Sequence, residues 1–357
     1  MPDYTIIDDN DTVGVALKDM DAGYTMECRY GSLSLREKIP AGHKFALKDI
    51  DDGEPVIKYG QTIGYAKGGI PAGCHVHTHN LRTSLGEILS YTYNPDFANP
   101  EEGEKACFMG YRRKDGKAGI RNQIWIIPTV GCVNSVALAL ERKASYLAEG
   151  NLEGILAFSH PYGCSQLGDD QENTLKILAG LINHPNAAGV LMLGLGCENC
   201  NLDVLKSYLQ TSDKDRVKYL QCQDAEDEIK EGIRLLRELA DYAKQYAREP
   251  IEAGELTVGL KCGGSDGLSG ITANPLVGDF SDILISKTGT AILTEVPEMF
   301  GAEKILMKRC INREVFNKTV SMINGFKEYY IRHDKPIYEN PSPGNKKGGI
   351  TTLEEKA

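Results

Sequence analysis

The sequence predicts an α/β main body, a parallel sheet with flanking helices, preceded by a small all-β domain. Two observations carry this. From about residue 107, apolar runs of strand length alternate with helical segments, as βα units do. Before that point only short β-rich stretches occur, separated by Gly-containing turns. The apolar runs are continuous rather than alternating, which marks strands buried on both faces of a parallel sheet.

Taken in order, AGHKFALKDI, GEPVIKYGQTIGYA and AGCHVHTHNL are the β-rich stretches of a first domain over residues 1–92. YNPDFANPEEGEKA, residues 93–106, is polar and holds two prolines, which reads as a linker. NQIWIIPTV then precedes VNSVALALERKASYLAE, GILAFSHP precedes QENTLKILAGLINH, and AGVLMLGLG precedes LDVLKSYLQ. VKYLQC precedes DEIKEGIRLLRELADYAKQYA, and LTVGLKC follows. The α/β part is expected over 107–340, with a subdivision near 250. Residues 341–357, rich in Pro, Gly and Lys, are expected to be an irregular tail.

The net charge of −10 argues against a nucleic-acid partner, which calls for a basic face. The N-terminus lacks the basic and apolar regions of a signal peptide, and no apolar stretch reaches membrane-spanning length. A cytoplasmic protein with no membrane partner is expected. Ten cysteines is high for such a chain, and disulfides are not expected in a reducing compartment.

Three apolar runs end in Gly-Cys, at Cys132, Cys164 and Cys197, spaced 32 and then 33 residues apart. In a parallel sheet, ligands gather where strands end. Thiolates on one rim suit iron–sulfur or zinc. Three ligands would leave one iron of a 4Fe–4S cluster open, to act as a Lewis acid on a substrate hydroxyl. The bland alternative is small residues packing strand against helix. Cys197 and Cys200 form a C-x-x-C, and Cys200 reads as packing. Cys222 lacks the glycine and reads as core, whereas Cys262 lies in a glycine-rich loop.

His75, His77 and His79 fall within five residues, and on a strand all three project to one face. Such a face suits metal binding or proton transfer, or is simply an exposed polar face. KCGGSDGLSG, residues 261–270, can cradle an anion with backbone N–H groups; Ser265 and Asp266 stand in it. It is neither a P-loop nor G-x-G-x-x-G, so no nucleotide cofactor is expected. Arg121, beside Asn122 just before the first sheet strand, can pair a carboxylate, or form a surface salt bridge. His160, close ahead of Cys164, is a candidate ligand or base, with a satisfied core histidine the plainer reading.

Several stretches resemble the altronate dehydratase/galactarate dehydratase family over nearly the whole chain. They are GHKFALKDI, KYGQTIGYA and HVHTHN, then FMGYRRKDGKAGIRNQIWIIPTVGC, HPYGCSQ, GLGCE, LKCGGSDGLSGITANPLVG, TEVPEMFGAE and NPSPGNKKGGITTLEEK. FMGYRRKDGKAGIRN and IIPTVGCVN look closer to the altronate members. The resemblance implies a SAF-type β-clip first domain and iron-dependent dehydration of a sugar acid, D-altronate giving 2-dehydro-3-deoxy-D-gluconate in hexuronate breakdown. Galactarate dehydratase and sulfolactate sulfo-lyase activities are the neighbouring possibilities. Family chains run on well past GGITTLEEK, so this one is expected to lack the C-terminal part.

Dehydration of a 2,3-dihydroxy acid needs a base for the C2 proton and help for the leaving C3 hydroxyl. Iron held by Cys132, Cys164 and Cys197 meets the second need; iron held partly by His77 and His79 is the alternative. The base is expected to be His77, His79 or His160, or else Lys261. Arg121, Asn122, Ser265 and Asp266 are expected to hold the carboxylate and hydroxyls. Two other classes stay open: a sugar-acid binding module without turnover, and a thiol redox protein using Cys197 and Cys200. A homo-oligomer is compatible with the β-rich first domain.

Overall fold

The computed structural model describes residues 2–83, 85–86, 88–97, 104–209, 213, 215–337 and 340–356. It divides into two compact units. One comprises Met1–Gly103 with Thr257–Ser286 and Thr290–Ala357; the other comprises Glu104–Leu256 with Lys287–Gly289.

A repeated turn organises the first domain. Residues 21–24, 40–43, 51–54 and 71–74 each close a bond from the fourth N–H to the first carbonyl, between 3.0 and 3.2 Å. Each has glycine third, with φ between +80° and +82°, the geometry of a type II turn. The apolar residue before each turn is buried, and these residues bridge in pairs, Met20 with Ile39 and Ile50 with Ile70. The turns feed short antiparallel strands. Tyr4–Thr5, Val13–Ala16, Lys44–Ala46 and His75–Val76 form one sheet in that order, and Pro55–Lys58, Gln61–Ala66 and Leu81–Arg82 form another. The all-β first domain is therefore as expected.

The strand anticipated through His79 ends at Val76. Residues 77–80 turn instead, because Asn80 N–H donates to His77 O and its side-chain oxygen accepts from His77 N–H. Of the expected linker, residues 98–103 lie outside the described residues. Ahead of them, Tyr93 Oη donates to Cys310 O, so that stretch packs rather than hangs free.

In the second unit, β1 (Gln123–Pro128), β2 (Gly154–Ala157), β3 (Ala187–Gly194) and β4 (Val217–Gln221) form a parallel sheet in the order β2-β1-β3-β4. Alternation along β1 shows why it is covered twice. Ile124 and Ile126 pack with α1 (Asn134–Ala144) and α4 (Glu228–Lys244). Trp125 and Ile127 pack with α2 (Gly168–Ile182) and α3 (Leu202–Lys206). The expected α/β body is thus present, with its central strands β1 and β3 buried on both faces.

The compact α/β unit ends at Leu256, close to the subdivision expected near 250, so residues 257–340 do not continue it. Beyond it, Thr257–Leu260 and Thr290–Leu293 form a separate two-stranded parallel sheet joined through the helix Ala273–Ser286. The tail is not irregular either. Pro343–Lys347 is a helix started by a Ser342/Asn345 capping box, and Leu353–Lys356 is a second short helix. Ile350, Thr351, Thr352, Leu353 and Glu355 are buried. Among the described residues, no helix is long and apolar enough to cross a membrane.

Candidate active site: an imidazole cluster and a cysteine rim

The first unit gathers four histidines. Lys44 pairs with Val76 and Phe45 with His75, so the same register carried one step further sets His43 opposite His77. Opposed residues and residues two apart share a face, which puts His43, His75 and His77 together. Their rings lie 5.0 to 5.2 Å apart, and His79 follows at 5.8 Å from His75.

Hydrogen bonds set the tautomers. His43 Nε2 donates to Lys347 O at 3.1 Å, and His77 Nε2 donates to Lys346 O at 2.8 Å. Burial pushes His43 and His77 below the usual imidazole range, so each carries one proton. That proton is on Nε2, because a carbonyl can only accept. His43 Nδ1 is then an acceptor, and it takes the Nε2–H of His75 at 2.9 Å. Burial, followed by the neighbouring imidazoles, pushes His75 down to about 3, which leaves its Nδ1 as a lone pair. His79 is the exposed member of the group.

Behind the imidazoles lies a buried ion triad. Glu355 Oε2 accepts from Lys44 Nζ and Oε1 from Lys58 Nζ, both at 2.8 Å, with all three side chains fully buried. Lys44 Nζ also donates to Gly349 O at 2.8 Å, and Thr351 gives Glu355 its N–H and hydroxyl. Burial would raise Glu355, but the two ammoniums outweigh it and hold the carboxyl down at about 2. Burial lowers Lys44 to about 8; for Lys58 the pull of burial is outweighed by Glu355 and the shift is upward. All three are charged at neutral pH.

Three loops meet here backbone to backbone. Gly267 N–H donates to Gly348 O at 2.7 Å. A Cβ on Gly267 would fall 1.9 Å from Gly42 O, and one on Gly349, whose φ is +102°, would fall 2.3 Å from the same oxygen. The glycine-rich loop is thereby docked beside the turn that carries His43. Within it Asp266 accepts from the N–H groups of Leu268 and Ser269, so its carboxylate shapes its own loop. Ser265 offers its carbonyl to Asn345, and its hydroxyl lies 3.7 Å from Cys262 Sγ. Lys261 is largely exposed, 3.9 Å from Glu295. A cavity of about 1150 Å³ in the same unit is lined by Tyr59, Thr272, Asn274 and Glu355, among others, but by no histidine.

In the second unit Cys132, Cys164 and Cys197 follow β1, β2 and β3, three adjacent parallel strands, and so share one rim. The connections out of β1 and β3 diverge at the point where the strand order reverses, the usual crevice of such sheets. Cys132 and Cys197 are exposed and Cys164 is half-buried. Glu198, buried, ties the crevice together. It accepts from Thr129 Oγ1 across it at 2.5 Å and from the N–H groups of Leu195 and Gly196. His160 ties its loop to β1: Nε2 donates to Pro128 O and Nδ1 accepts from Tyr162 N–H. Burial pushes the Cys200 and Cys222 thiols up to about 11.

Arg121 is exposed. Asn122 beside it is fully buried, contrary to its expected place against substrate. Its oxygen accepts from Arg113, and its NH₂ donates to the carbonyls of Asn151 and Ala243. Thiols and imidazoles both have the donor chemistry for iron. Among the described residues, however, no group of three or more His, Cys, Asp or Glu side chains is arranged to hold a metal ion.

Sequence reasoning missed His43, Lys44, Lys58, Glu198 and Glu355. For His43 a signal existed: PAGHK and PAGCH repeat one turn, after which the two strands pair.

Profiles of known families match the chain in three consecutive parts. "Altronate/galactarate dehydratase SAF domain" covers residues 2–84, "D-galactarate dehydratase/Altronate hydrolase, second domain" covers 110–244, and "D-galactarate/Altronate dehydratase, C-terminal" covers 253–357. The altronate dehydratase of Bacillus subtilis is 51% identical over 360 residues, spanning 100% of this chain and 72% of its own. The chain belongs to the altronate/galactarate dehydratase family. Within that family, the altronate dehydratase of Escherichia coli is 51% identical over 97% of this chain and 71% of its own. The galactarate dehydratase (L-threo-forming) of Escherichia coli is 32% identical over 98% and 70%. The chain is thus a hydro-lyase by family, and the imidazole cluster lies in its SAF domain.

Proposed function

We propose that the chain dehydrates a sugar acid, D-altronate in preference to galactarate, giving 2-dehydro-3-deoxy-D-gluconate. The observation that supports this best is the imidazole stack. Burial keeps His75 uncharged, its Nε2 bonds His43, and the exposed His79 closes the stack beside it. The higher identity to the altronate dehydratases supports the substrate order.

The base takes the proton from C2. The electron pair so released forms the C2–C3 double bond as the C3–OH bond breaks. The hydroxide leaves with a proton as water, and the enol becomes the 2-keto acid. Since a carboxylate neighbour makes the C2 proton only weakly acidic, its removal calls for a positioned base. His79, the member open to solvent, is proposed to touch C2–H and to return the proton it takes to the departing C3 hydroxide, which leaves as water. The hydroxyl of Ser265 is proposed to hold a substrate hydroxyl.

Iron, as Fe²⁺ or a 4Fe–4S cluster, would supply Lewis acidity when bound. Cys132, Cys164 and Cys197 are the proposed donors, with His77 and His79 the alternative set. Neither set is closed around a common point, and none of the steps above depends on it.

The test is turnover of D-altronate and galactarate by anaerobically purified protein, read as 2-keto acid formed, together with iron and acid-labile sulfide per chain. Release of 2-keto acid from D-altronate is expected. Binding without turnover would overturn the enzymatic reading, and iron without sulfide would favour the histidines over the thiols.

A further inference from the structure

We propose that the cavity beside Tyr59 is a second binding site, apart from the imidazole cluster, for a neutral polyhydroxylated molecule, a sugar or sugar alcohol, and that the Tyr59 hydroxyl is its buried hydrogen-bonding group.

The backbone gives the first sign. Tyr59 and Gly60 join the strands Pro55–Lys58 and Gln61–Ala66, with Lys58 paired to Gln61. Both have positive φ, +62° and +68°, as a two-residue hairpin turn requires. The first position of such a turn ordinarily holds Asn, Asp or Gly, and a bulky side chain is strained there. Residues kept in such a conformation against their preference cluster at ligand sites.

The side chain that this turn positions is the second sign. Tyr59 Oη is buried and, among the described residues, has no hydrogen-bond partner. Lys58 Nζ stands over the face of the ring, 4.5 Å from its centre, and donates to Glu355. A glycine makes room for the hydroxyl, since a Cβ on Gly270 would fall 2.1 Å from it. Buried polar groups are normally paired, and one left bare destabilises the folded state. Phenylalanine would fill the same space without that cost, so packing alone does not call for the hydroxyl.

The walls indicate what the hydroxyl awaits. Tyr59 lines the cavity of about 1150 Å³ together with Gln61, Thr62 and Asn274, whose side chains are exposed and engage no other described residue. Carboxamides and hydroxyls both donate and accept, which is what sugar hydroxyls need. Tyr65 and Ile271 add apolar surface for the C–H faces of such a molecule. Among the charged lining groups, Asp8, Glu303, Glu354 and Glu355 outnumber Lys304 and Lys356. That balance disfavours an anion, and with it the sugar acid of the proposed reaction.

The test titrates the full chain, carrying ¹³C-labelled tyrosine rings, with D-glucitol, D-glucose and the charged D-gluconate. The Tyr59 signal, assigned by its loss in Tyr59→Phe, is expected to shift saturably with D-glucitol or D-glucose and not with D-gluconate. Tyr59→Phe is expected to bind the neutral compound about 5-fold more weakly by calorimetry, the worth of one neutral hydrogen bond. Without ligand it should unfold no earlier than the wild type, because it removes an unpaired hydroxyl. A Tyr59 signal unmoved by both neutral compounds, or moved as much by D-gluconate, would overturn the proposal. So would a Tyr59→Phe protein that unfolds earlier than the wild type, since the hydroxyl would then already have a partner; that result needs no ligand.

Discussion

Glu355 and Lys44 meet at 2.8 Å across 311 residues of chain, with both side chains fully buried. The contact joins the last described turn of the protein to the third strand of its first sheet. A lone carboxylate at that depth would not stay ionised. Here Lys58 completes its surroundings from the other oxygen.

Acid should expose this dependence. The folded Glu355 carboxyl is held at about 2, below its ordinary 4.5. A depressed carboxyl contributes stability that is present above pH 4.5 and is lost as the pH falls from there toward 2. The contribution is about 3 kcal/mol, from 1.36 kcal/mol per pH unit. Urea unfolding midpoints at neutral pH, pH 4 and pH 3 are expected to fall steadily below pH 4.5. Glu355→Gln should unfold earlier already at neutral pH, by about 3–5 kcal/mol, because it leaves two buried ammoniums without their partner. Equal midpoints for the two proteins at neutral pH would remove Glu355 from the stability argument.

Gly349→Ala should undock the 346–349 backbone. Its Cβ would stand 2.3 Å from Gly42 O, and φ of +102° is a conformation that side chains rarely adopt. A loss of about 2 kcal/mol or more is expected, since strain and a backbone clash combine. Gly23→Ala is the control for the φ penalty alone, because nothing lies within 4 Å of its added Cβ. If the two variants lose the same stability by thermal unfolding, close approach at Gly349 is not what holds the loop.

What could be read beforehand follows from how local each feature is. The parallel sheet shows in the sequence because β1 after Gln123 and all of β3 are buried on both faces and apolar. The shared rim of Cys132, Cys164 and Cys197 follows from the same pattern. The histidines were legible only in part. His75, His77 and His79 are neighbours in sequence, but the turn at Asn80 and the arrival of His43 depend on register across 32 residues. The tail was misjudged because Pro, Gly and Lys normally signal irregular chain. Glu355 is buried by lysines some 300 positions away, and no local pattern announces that.

Asn122 is expected to matter for folding and Arg121 for charge. Asn122 satisfies Arg113 and two carbonyls at full burial. Asn122→Ala leaves those groups unpaired, at about 1–3 kcal/mol for each group left bare. Arg121→Ala, at an exposed position, should leave the denaturation midpoint nearly unchanged. A stable Asn122→Ala protein with impaired substrate binding would return Asn122 to the substrate.

Thiol labelling should divide the cysteines. Cys132 and Cys197 are exposed, whereas Cys200 is 5% exposed with its thiol pushed up to about 11 by burial. The thiolate is the reactive form, so Cys200 should resist alkylation in folded protein while Cys132 and Cys197 react. Peptide mapping after brief treatment with iodoacetamide decides it. Rapid labelling of Cys200, or a Cys197–Cys200 disulfide that forms reversibly, would revive the redox reading. Protection of Cys132, Cys164 and Cys197 together, in iron-loaded protein only, would place iron on the rim.

His79 and His160 separate chemistry from architecture. His160 has both ring nitrogens engaged, Nε2 by Pro128 O at the end of β1 and Nδ1 by Tyr162 N–H in its own loop. His79 stands exposed at the end of the imidazole stack. A general base contributes about 10²- to 10⁴-fold to rate, so His79→Asn should lower kcat by that order while the unfolding midpoint stays in place. His160→Asn should do the reverse, since it removes the two hydrogen bonds that order the loop ahead of Cys164. Its cost is about 1–2 kcal/mol at roughly 1 kcal/mol per bond, with kcat within several-fold of wild type wherever the protein is folded. If kcat collapses in His160→Asn and survives in His79→Asn, the base belongs with the cysteine rim, and the imidazole stack becomes a structural feature of the SAF domain.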